Sequence, residues 1–172
     1  MSITITGNAD LKEQQSYVDY LQEKYHRKLE SLDINIDGEY KVIGMTHSPK
    51  STERLQKLGF CDVVFSGNAT DPVSTMEKIS ELTGGKMADI TINNVNIPDT
   101  EMTSVLCTKD DGLVYFFSMA TSFTKAALGA EGVGADVTMI VGNGYTKGHA
   151  EITLQELREN AELRKIFEEL YA

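Results

Sequence analysis

The residues best suited to acid–base chemistry lie in a glycine-interrupted loop near the C-terminal end of the chain. Tyr145, Lys147 and His149 place a phenol, an ammonium group and an imidazole close together. Such groups transfer protons or hold a carboxylate. Glycines at positions 142, 144 and 148 let the backbone turn tightly and approach a ligand. We predict that Tyr145 and His149 face the reactive end of a ligand, although His149 could instead cap or pack a helix start.

A second polar group follows an apolar run that is typical of a buried strand. Ser118, Thr121, Ser122 and Thr124 supply hydroxyl groups there. No His and Asp partners stand at a recognisable triad spacing, so none of them is predicted to be a nucleophile, and Ser122 could merely cap a helix. Ligands of open parallel sheets bind beyond the carboxyl ends of the strands. We therefore predict that Ser118 and Met119 contact a cofactor.

A third group follows the second apolar run. Thr46, His47 and Ser48 are succeeded by Lys50 and, one turn later, Arg54. Dinucleotide-binding sheets carry an acidic residue at this point, which holds the ribose diol of NAD. The lack of an acid beside these cations favours the 2′-phosphate of NADP. We predict cofactor contacts at Thr46, His47 and Ser48, while a plain helix cap with solvated charges explains the same residues.

Of two further strand ends, one favours a dinucleotide site and the other argues against it. Asn93, which ends the fourth run, could bind a ribose hydroxyl through its amide, although asparagine is also common in turns. We include Asn93 among the predicted cofactor contacts. The turn after the first run, Gly7–Glu13, has one glycine in place of the G-x-G-x-x-G pattern. Asp10 and Glu13 lie at the following helix start, where their charges would repel a pyrophosphate.

The elements that must position these residues alternate along the chain. Apolar, β-branched runs predict strands at Ile3–Thr6, Lys41–Met45, Asp62–Phe65, Asp89–Ile92, Leu113–Phe117 and Val137–Val141. Helix-start signals stand between them at Asp10, Ser48-Pro49, Asp71-Pro72 and Asn160. This alternation predicts a doubly wound, mostly parallel, Rossmann-like sheet in three α/β/α layers, formed by a single domain over residues 1–172.

The charge and the cysteine content of the chain argue against several kinds of partner and site. The formal charge of −10 argues against nucleic acid and anionic membranes as partners, since both need a clustered basic surface. The two cysteines, Cys61 and Cys107, form no metal-ligand pattern, so no metal site is predicted and a cytoplasmic location is expected. No apolar run approaches the ~18 residues of a membrane-spanning helix.

From Lys41 to Ala172 the sequence resembles the Rossmann half of the L-erythro-3,5-diaminohexanoate dehydrogenase family of lysine fermentation. The likeness is carried by long, unusual strings at residues 58–62, 68–72, 117–124, 127–134 and 142–149. The resemblance implies NAD- or NADP-dependent oxidative deamination of a diamino acid. Family members are longer, with a substrate domain before the nucleotide-binding half, and residues 1–40 diverge from their glycine-rich first turn.

Two functional hypotheses follow from this resemblance. In the first, the chain is a shortened relative of the dehydrogenase that needs a partner chain to supply the substrate domain, and the catalytic residues cannot be placed on it. In the second, it is a non-catalytic interaction or regulatory module that has lost cofactor binding. Apolar surface that once met the missing domain would then lead to a homodimer.

Overall fold

The computed structural model describes residues 40–142 and 148–171, in which strands and helices alternate. The strands are β1 (Ile43–Thr46), β2 (Val63–Ser66), β3 (Ala88–Asn93), β4 (Thr108–Phe116) and β5 (Val137–Val141). The helices are α1 (Pro49–Leu58), α2 (Pro72–Thr83), α3 (Glu101–Leu106), α4 (Phe123–Val133), α5 (His149–Glu159) and α6 (Ala161–Tyr171). Five of the six predicted strands are confirmed; the first, Ile3–Thr6, lies outside the described residues.

All the described strand pairs are parallel. β1 pairs with β2, with Ile43 opposite Val63, and β3, β4 and β5 form a three-stranded sheet in that order. Parallel neighbours need a crossover connection, which the intervening helices provide. The predicted α/β class with a parallel sheet and helical crossovers is confirmed.

Local sequence signals define the helix ends as expected. The side chains of Ser48 and Asp71 accept hydrogen bonds from the backbone N–H groups of Ser51 and Ser74, and a proline follows each cap. α2 ends at Gly84, whose φ of 64° is the left-handed conformation that favours glycine. Asn160 ends α5, and its Oδ1 accepts from the Leu163 N–H at 2.8 Å, as predicted. The predicted cap at Asp10 lies outside the described residues.

The hydrophobic core lies in the three-stranded sheet and under α4. Val114 and Phe116 of β4 are fully buried and pack with Ala126 of α4. Val137 and Met139 of β5 cover the same cluster. β4 therefore forms the centre of the described core, because it has a paired strand on each side and a helix against it.

The chain divides into two compact units. Residues 42–145 form one unit, which contains the five described strands, and the described part of the other unit is α5 and α6. The prediction of a single domain over residues 1–172 stays a prediction. Among the described helices, none has the length and apolar character needed to cross a membrane.

Candidate functional site

Three predicted contact residues meet at the carboxyl edge of the three-stranded sheet. Asn93 ends β3 and lies in register with Phe116, the last residue of β4. Ser118, just beyond β4, donates from Oγ to the carbonyl of Val95 at 2.7 Å. Met119 follows directly. Parallel strand ends share one edge, and this is why residues 25 positions apart in sequence come together here.

The other three cofactor candidates lie together at the end of β1. The hydroxyl groups of Thr46 and Thr52 are 2.7 Å apart, which ties the strand end to α1. Ser48 is the N-cap of α1 and accepts from the Ser51 N–H at 3.2 Å. His47 lies between them with an exposed side chain. Thr46 and Ser48 thus hold the helix start, and His47 is presented to solvent.

The start of α1 is electrostatically suited to an anion. Its first turn contains no acidic residue, and Lys50 is exposed within it. Arg54 follows one turn later and is half-buried. Helix N-termini carry a partial positive charge and outward N–H groups, so a phosphate is stabilised at such a position.

The amide of Asn93 is engaged in a buried network. Its Nδ2 donates to the hydroxyls of Thr100 and Ser104, each at 2.9 Å, and its Oδ1 accepts from the Val95 N–H at 2.9 Å. Only 6% of Asn93 is exposed. These bonds fix the backbone turn that leaves β3. The predicted ribose contact of Asn93 stays a prediction.

Hydrogen bonds within the loop after β4 hold its backbone, while some of its side chains are exposed to solvent. Ser118 Oγ accepts from the Ala120 N–H at 3.1 Å, which tightens the turn around Met119. Met119 itself is 98% exposed. Thr121 Oγ1 is buried and has no hydrogen-bond partner among the described residues. The loop thus carries two exposed apolar side chains, Phe117 and Met119, and one unsatisfied hydroxyl.

Sequence reasoning missed the short helix α3 that supports this loop. Glu101 in its first turn is 2% exposed, and its Oε1 accepts from the Ser122 N–H at 2.6 Å, at the start of α4. Asp99, just before α3, pairs with Lys125 of α4, and this hydrogen bond raises the pKa of the Lys125 ammonium group. The run Pro98-Asp99-Thr100-Glu101 is a helix-start signal that could have revealed this helix.

The ligand-facing roles predicted for Tyr145 and His149 are not tested by the described residues. Tyr145 lies outside the described residues. His149 is the first residue of α5, is exposed, and accepts from the Thr153 hydroxyl through its carbonyl at 2.9 Å. Its helix belongs to the unit that does not contain the sheets. The role predicted for both residues stays a prediction.

The described side chains do not suit a metal ion. Within residues 40–142 and 148–171, no three His, Cys, Asp or Glu side chains come together as a ligand set. Burial raises the pKa of the Cys107 thiol to about 11, which opposes the thiolate that metals bind. We derive no chemistry through a metal for these residues.

Comparisons with known proteins agree with the resemblance seen in the sequence. Two L-erythro-3,5-diaminohexanoate dehydrogenases match over 131 residues, which is 76% of this chain. The protein from Acetoanaerobium sticklandii is 54% identical and that from Fusobacterium nucleatum is 52% identical. The match covers 38% of each relative, so the chain spans well under half of their length. The predicted resemblance is confirmed.

One solved structure shows which fold the chain has, and one family model shows which family it matches. The enoyl reductase CurK superposes with a TM-score of 0.51 at 19% identity, covering 70% of this chain and 37% of that protein. That likeness shows the Rossmann-like fold alone. Residues 35–147 match the family described as zinc-binding dehydrogenase. Because this match extends over more than half of the 172 residues, the chain belongs to the zinc-binding dehydrogenase family.

Proposed function

We propose that this chain is the cofactor-binding part of a nicotinamide-dependent dehydrogenase related to L-erythro-3,5-diaminohexanoate dehydrogenase. The observation that carries the proposal is the 54% identity over 131 residues to a protein of that name. Identity at that level is far above the 19% that accompanies the fold likeness to CurK. The reaction would be the oxidative deamination of a diamino acid in lysine fermentation.

The cofactor in this proposal is NADP, bound along the carboxyl edges of the strands. The exposed His47 and Lys50, with the N-terminus of α1, would hold the 2′-phosphate of the adenosine. No acidic residue stands at the end of β1 or in the first turn of α1, so the group that normally selects NAD is absent there. When bound, the nicotinamide supplies the hydride acceptor for the oxidation.

At the other sheet, Ser118 and Met119 would line the nicotinamide side of the site. Met119 offers a flexible apolar surface for a flat ring, and its side chain is almost fully exposed. The unsatisfied hydroxyl of Thr121 provides a polar group in the same loop. Asn93 and Glu101 would act indirectly, because their hydrogen bonds hold the loop backbones that border this edge.

The substrate-binding part would be supplied by a partner chain. This chain spans only 38% of the two relatives, and the matched part is the family's nucleotide-binding half. We therefore expect the isolated chain to show no turnover with 3,5-diaminohexanoate and NADP. A cytoplasmic location belongs to the same proposal, and it is supported by the free thiols of Cys61 and Cys107.

Titration calorimetry with NADPH and NADH tests the cofactor proposal directly. We expect NADPH to bind more tightly than NADH. Lys50→Ala should weaken NADPH binding by roughly tenfold or more, since it removes a charge-assisted contact, and leave NADH binding unchanged. Lys86→Ala is the matched control, because Lys86 is an exposed lysine that precedes the amino end of β3, whereas Lys50 follows the carboxyl end of β1.

Two outcomes would contradict the proposal. Absence of binding of either dinucleotide at about 1 mM would remove the cofactor claim, since that corresponds to less than ~4 kcal/mol of binding free energy. Equal effects of Lys50→Ala and Lys86→Ala would show that bulk charge and not the α1 site attracts the nucleotide.

The competing proposal is a non-catalytic interaction module. Its specific support is the exposed apolar side chains of Phe117, Met119 and Phe123, which are 49%, 98% and 67% exposed on one short segment. This proposal expects neither nucleotide binding nor turnover with any added partner chain. The dehydrogenase proposal expects nucleotide binding by the isolated chain, and turnover when a chain that carries the substrate domain is added.

A further inference from the structure

The described strands form two separate sheets within one compact unit. β1 pairs with β2, and β3, β4 and β5 pair with one another, but no described strand joins the two sheets. We call β1, β2, α1 and α2 the small half, and β3, β4, β5, α3 and α4 the large half. Both halves belong to the unit of residues 42–145. Among the described residues, their relative position therefore depends on contacts outside the strand ladders.

A buried hydroxyl group of α3 makes such a contact. Thr103 is 5% exposed, and its Oγ1 donates to the carbonyl of Ala69 at 2.6 Å. Ala69 lies in the segment between β2 and α2, so the bond joins the two halves across 34 positions of sequence. α2 and α3 also pack against each other. Because a hydrogen bond weakens steeply when its distance or angle departs from the optimum, this bond restricts the movement of one half against the other.

On the small half, the segment that carries Ala69 is fixed to the end of β1. The Gly67 N–H donates to the carbonyl of Thr46 at 2.8 Å. The Ser66 hydroxyl donates to the carbonyl of His47 at 3.3 Å. The position of Ala69 is therefore tied to the strand end from which α1 begins.

On the large half, α3 is fixed to the loops that follow β3 and β4. The Asn93 amide donates to the Ser104 hydroxyl at 2.9 Å, and Glu101 Oε1 accepts from the Ser122 N–H at 2.6 Å. Ser122 ends the loop that carries Met119. These bonds hold α3 against that loop, so the hydroxyl that reaches the small half comes from a firmly placed helix.

We infer that Thr103 is a positioning residue, which sets the spacing between the start of α1 and the loop after β4. Its importance for binding rests on the proposed function, in which the adenosine lies at α1 and the nicotinamide lies at Met119. Two binding regions joined by one ligand act together only when their spacing matches the ligand. The Thr103 hydroxyl therefore affects the binding of the whole dinucleotide and not the binding of either part alone.

Distance measurements between the two halves test the spacing without any ligand. In a Cys61→Ala background, spin labels are attached to Glu53→Cys of α1 and Leu128→Cys of α4, because both positions are exposed. The buried Cys107 stays as it is. We expect Thr103→Val to broaden or shift the distribution of distances between the labels, because the halves lose a bond that joins them. An unchanged distribution would overturn the inference.

Thr75→Val is the matched control. Thr75 is also 5% exposed, and its hydroxyl donates to the carbonyl of Asn68 at 3.2 Å, but this bond lies inside the small half. It should leave the distance distribution unchanged, and an effect equal to that of Thr103→Val would contradict the inference. Thr103→Ser keeps the hydroxyl and should restore the wild-type distribution. Thr103→Ala removes the same hydroxyl and takes the place of Thr103→Val if that variant does not fold.

Calorimetry with NADPH, adenosine 2′,5′-bisphosphate and reduced nicotinamide mononucleotide connects the spacing to the ligand. We expect Thr103→Val to weaken NADPH binding by about tenfold, while the affinities for the two fragments stay unchanged. A loss of equal size for NADPH and for the bisphosphate would overturn the inference, because it would place the effect at α1 alone. If the wild-type chain does not bind NADPH, the proposed function is wrong, and the distance measurements still decide whether Thr103 sets the spacing.

Discussion

At the scale of single residues, the predicted contact residues at the carboxyl edges fall into two groups. Ser48, Asn93 and Ser118 use their polar atoms in hydrogen bonds that hold the backbone. His47 and Met119 are exposed beside them. The first group shapes the edge, because a buried amide or hydroxyl that lost its partners would be costly. The second group is available to a ligand without rearrangement of the chain.

The network of Asn93 gives a prediction about stability. Asn93→Ala should lower the free energy of unfolding by about 2 kcal/mol, because it removes two buried donors to the Thr100 and Ser104 hydroxyls and leaves the Val95 N–H without its acceptor. Asn94→Ala is the matched control, since Asn94 is exposed, and should change stability by less than about 0.5 kcal/mol. Urea denaturation of both variants measures the difference. Equal stabilities would show that the network contributes nothing.

The buried thiol of Cys107 gives a prediction about pH. Its folded pKa of about 11 lies above the unfolded value of roughly 8.5, so the folded state holds the proton more tightly. The stabilisation is complete below pH ~8.5 and is lost as pH rises towards 11. The stability lost in Cys107→Ala should therefore be smaller at pH 10 than at pH 7.5.

The half-buried Cys61 is the control for this effect. Burial, and then the nearby Asp62 carboxylate, also raise the pKa of the Cys61 thiol. Cys61→Ala should show a weaker change between the two pH values, because more of its side chain is in solvent. Denaturant unfolding of the three proteins at both pH values measures this. A Cys107→Ala deficit that is equal at pH 7.5 and pH 10 would contradict the assignment.

The sequence predicts where Asn93 lies better than it predicts which groups Asn93 binds. The position of Asn93 at a strand end was predicted, because an apolar β-branched run ends there. Its bonds to Thr100 and Ser104 were not predicted, because these partners stand seven and eleven residues later, around a helix of only six residues. Proline and cap residues define α1 and α2 locally, and those helix starts were predicted for that reason.

At the scale of elements, β4 shows how tertiary pairing extends a strand beyond its sequence signal. The apolar run predicts a start at Leu113, but β4 begins at Thr108. Ala88 pairs with Thr108 and Ile90 with Leu113, so the polar residues 109–112 form an irregular excursion opposite a single residue of β3. Asp111 has a φ of 60° within it. No periodic pattern in the sequence encodes such an excursion.

Gly112 closes this excursion and should not tolerate a side chain. A Cβ there would lie 2.5 Å from Thr108 Cγ2 and 2.7 Å from the Lys109 carbonyl oxygen. Gly112→Ala should therefore cost about 1–3 kcal/mol of stability, since the backbone must shift. Gly132→Ala is the control, because Gly132 lies in α4 with nothing within 4 Å, and should stabilise the protein by up to ~1 kcal/mol. Thermal unfolding distinguishes the two, and a neutral Gly112→Ala would contradict the tight packing.

At the scale of the whole molecule, the chain contains a buried core although it matches only part of its relatives' length. The chain corresponds to 38% of either dehydrogenase, yet its matched part includes the buried core of β4 and α4. The fold class was predictable, because alternating strands and helices have short-range signals. The hydrogen bonds that hold the carboxyl edge were not predictable, because they include a bond between residues that lie 23 positions apart in the sequence.

The exposed segment after β4 is a candidate contact surface between two copies of the chain. Phe117, Met119 and Phe123 expose large apolar side chains within seven residues, and such surface is stabilised by burial against another chain. The competing proposal of an interaction module therefore predicts concentration-dependent self-association in sedimentation velocity. Met119→Asp should shift the equilibrium towards monomer, because it places a charge in the buried contact. Val73→Asp, at a 55% exposed site on α2, is the control and should leave association unchanged. A wild-type chain that sediments as a monomer at every concentration would show that this segment does not contact a second copy.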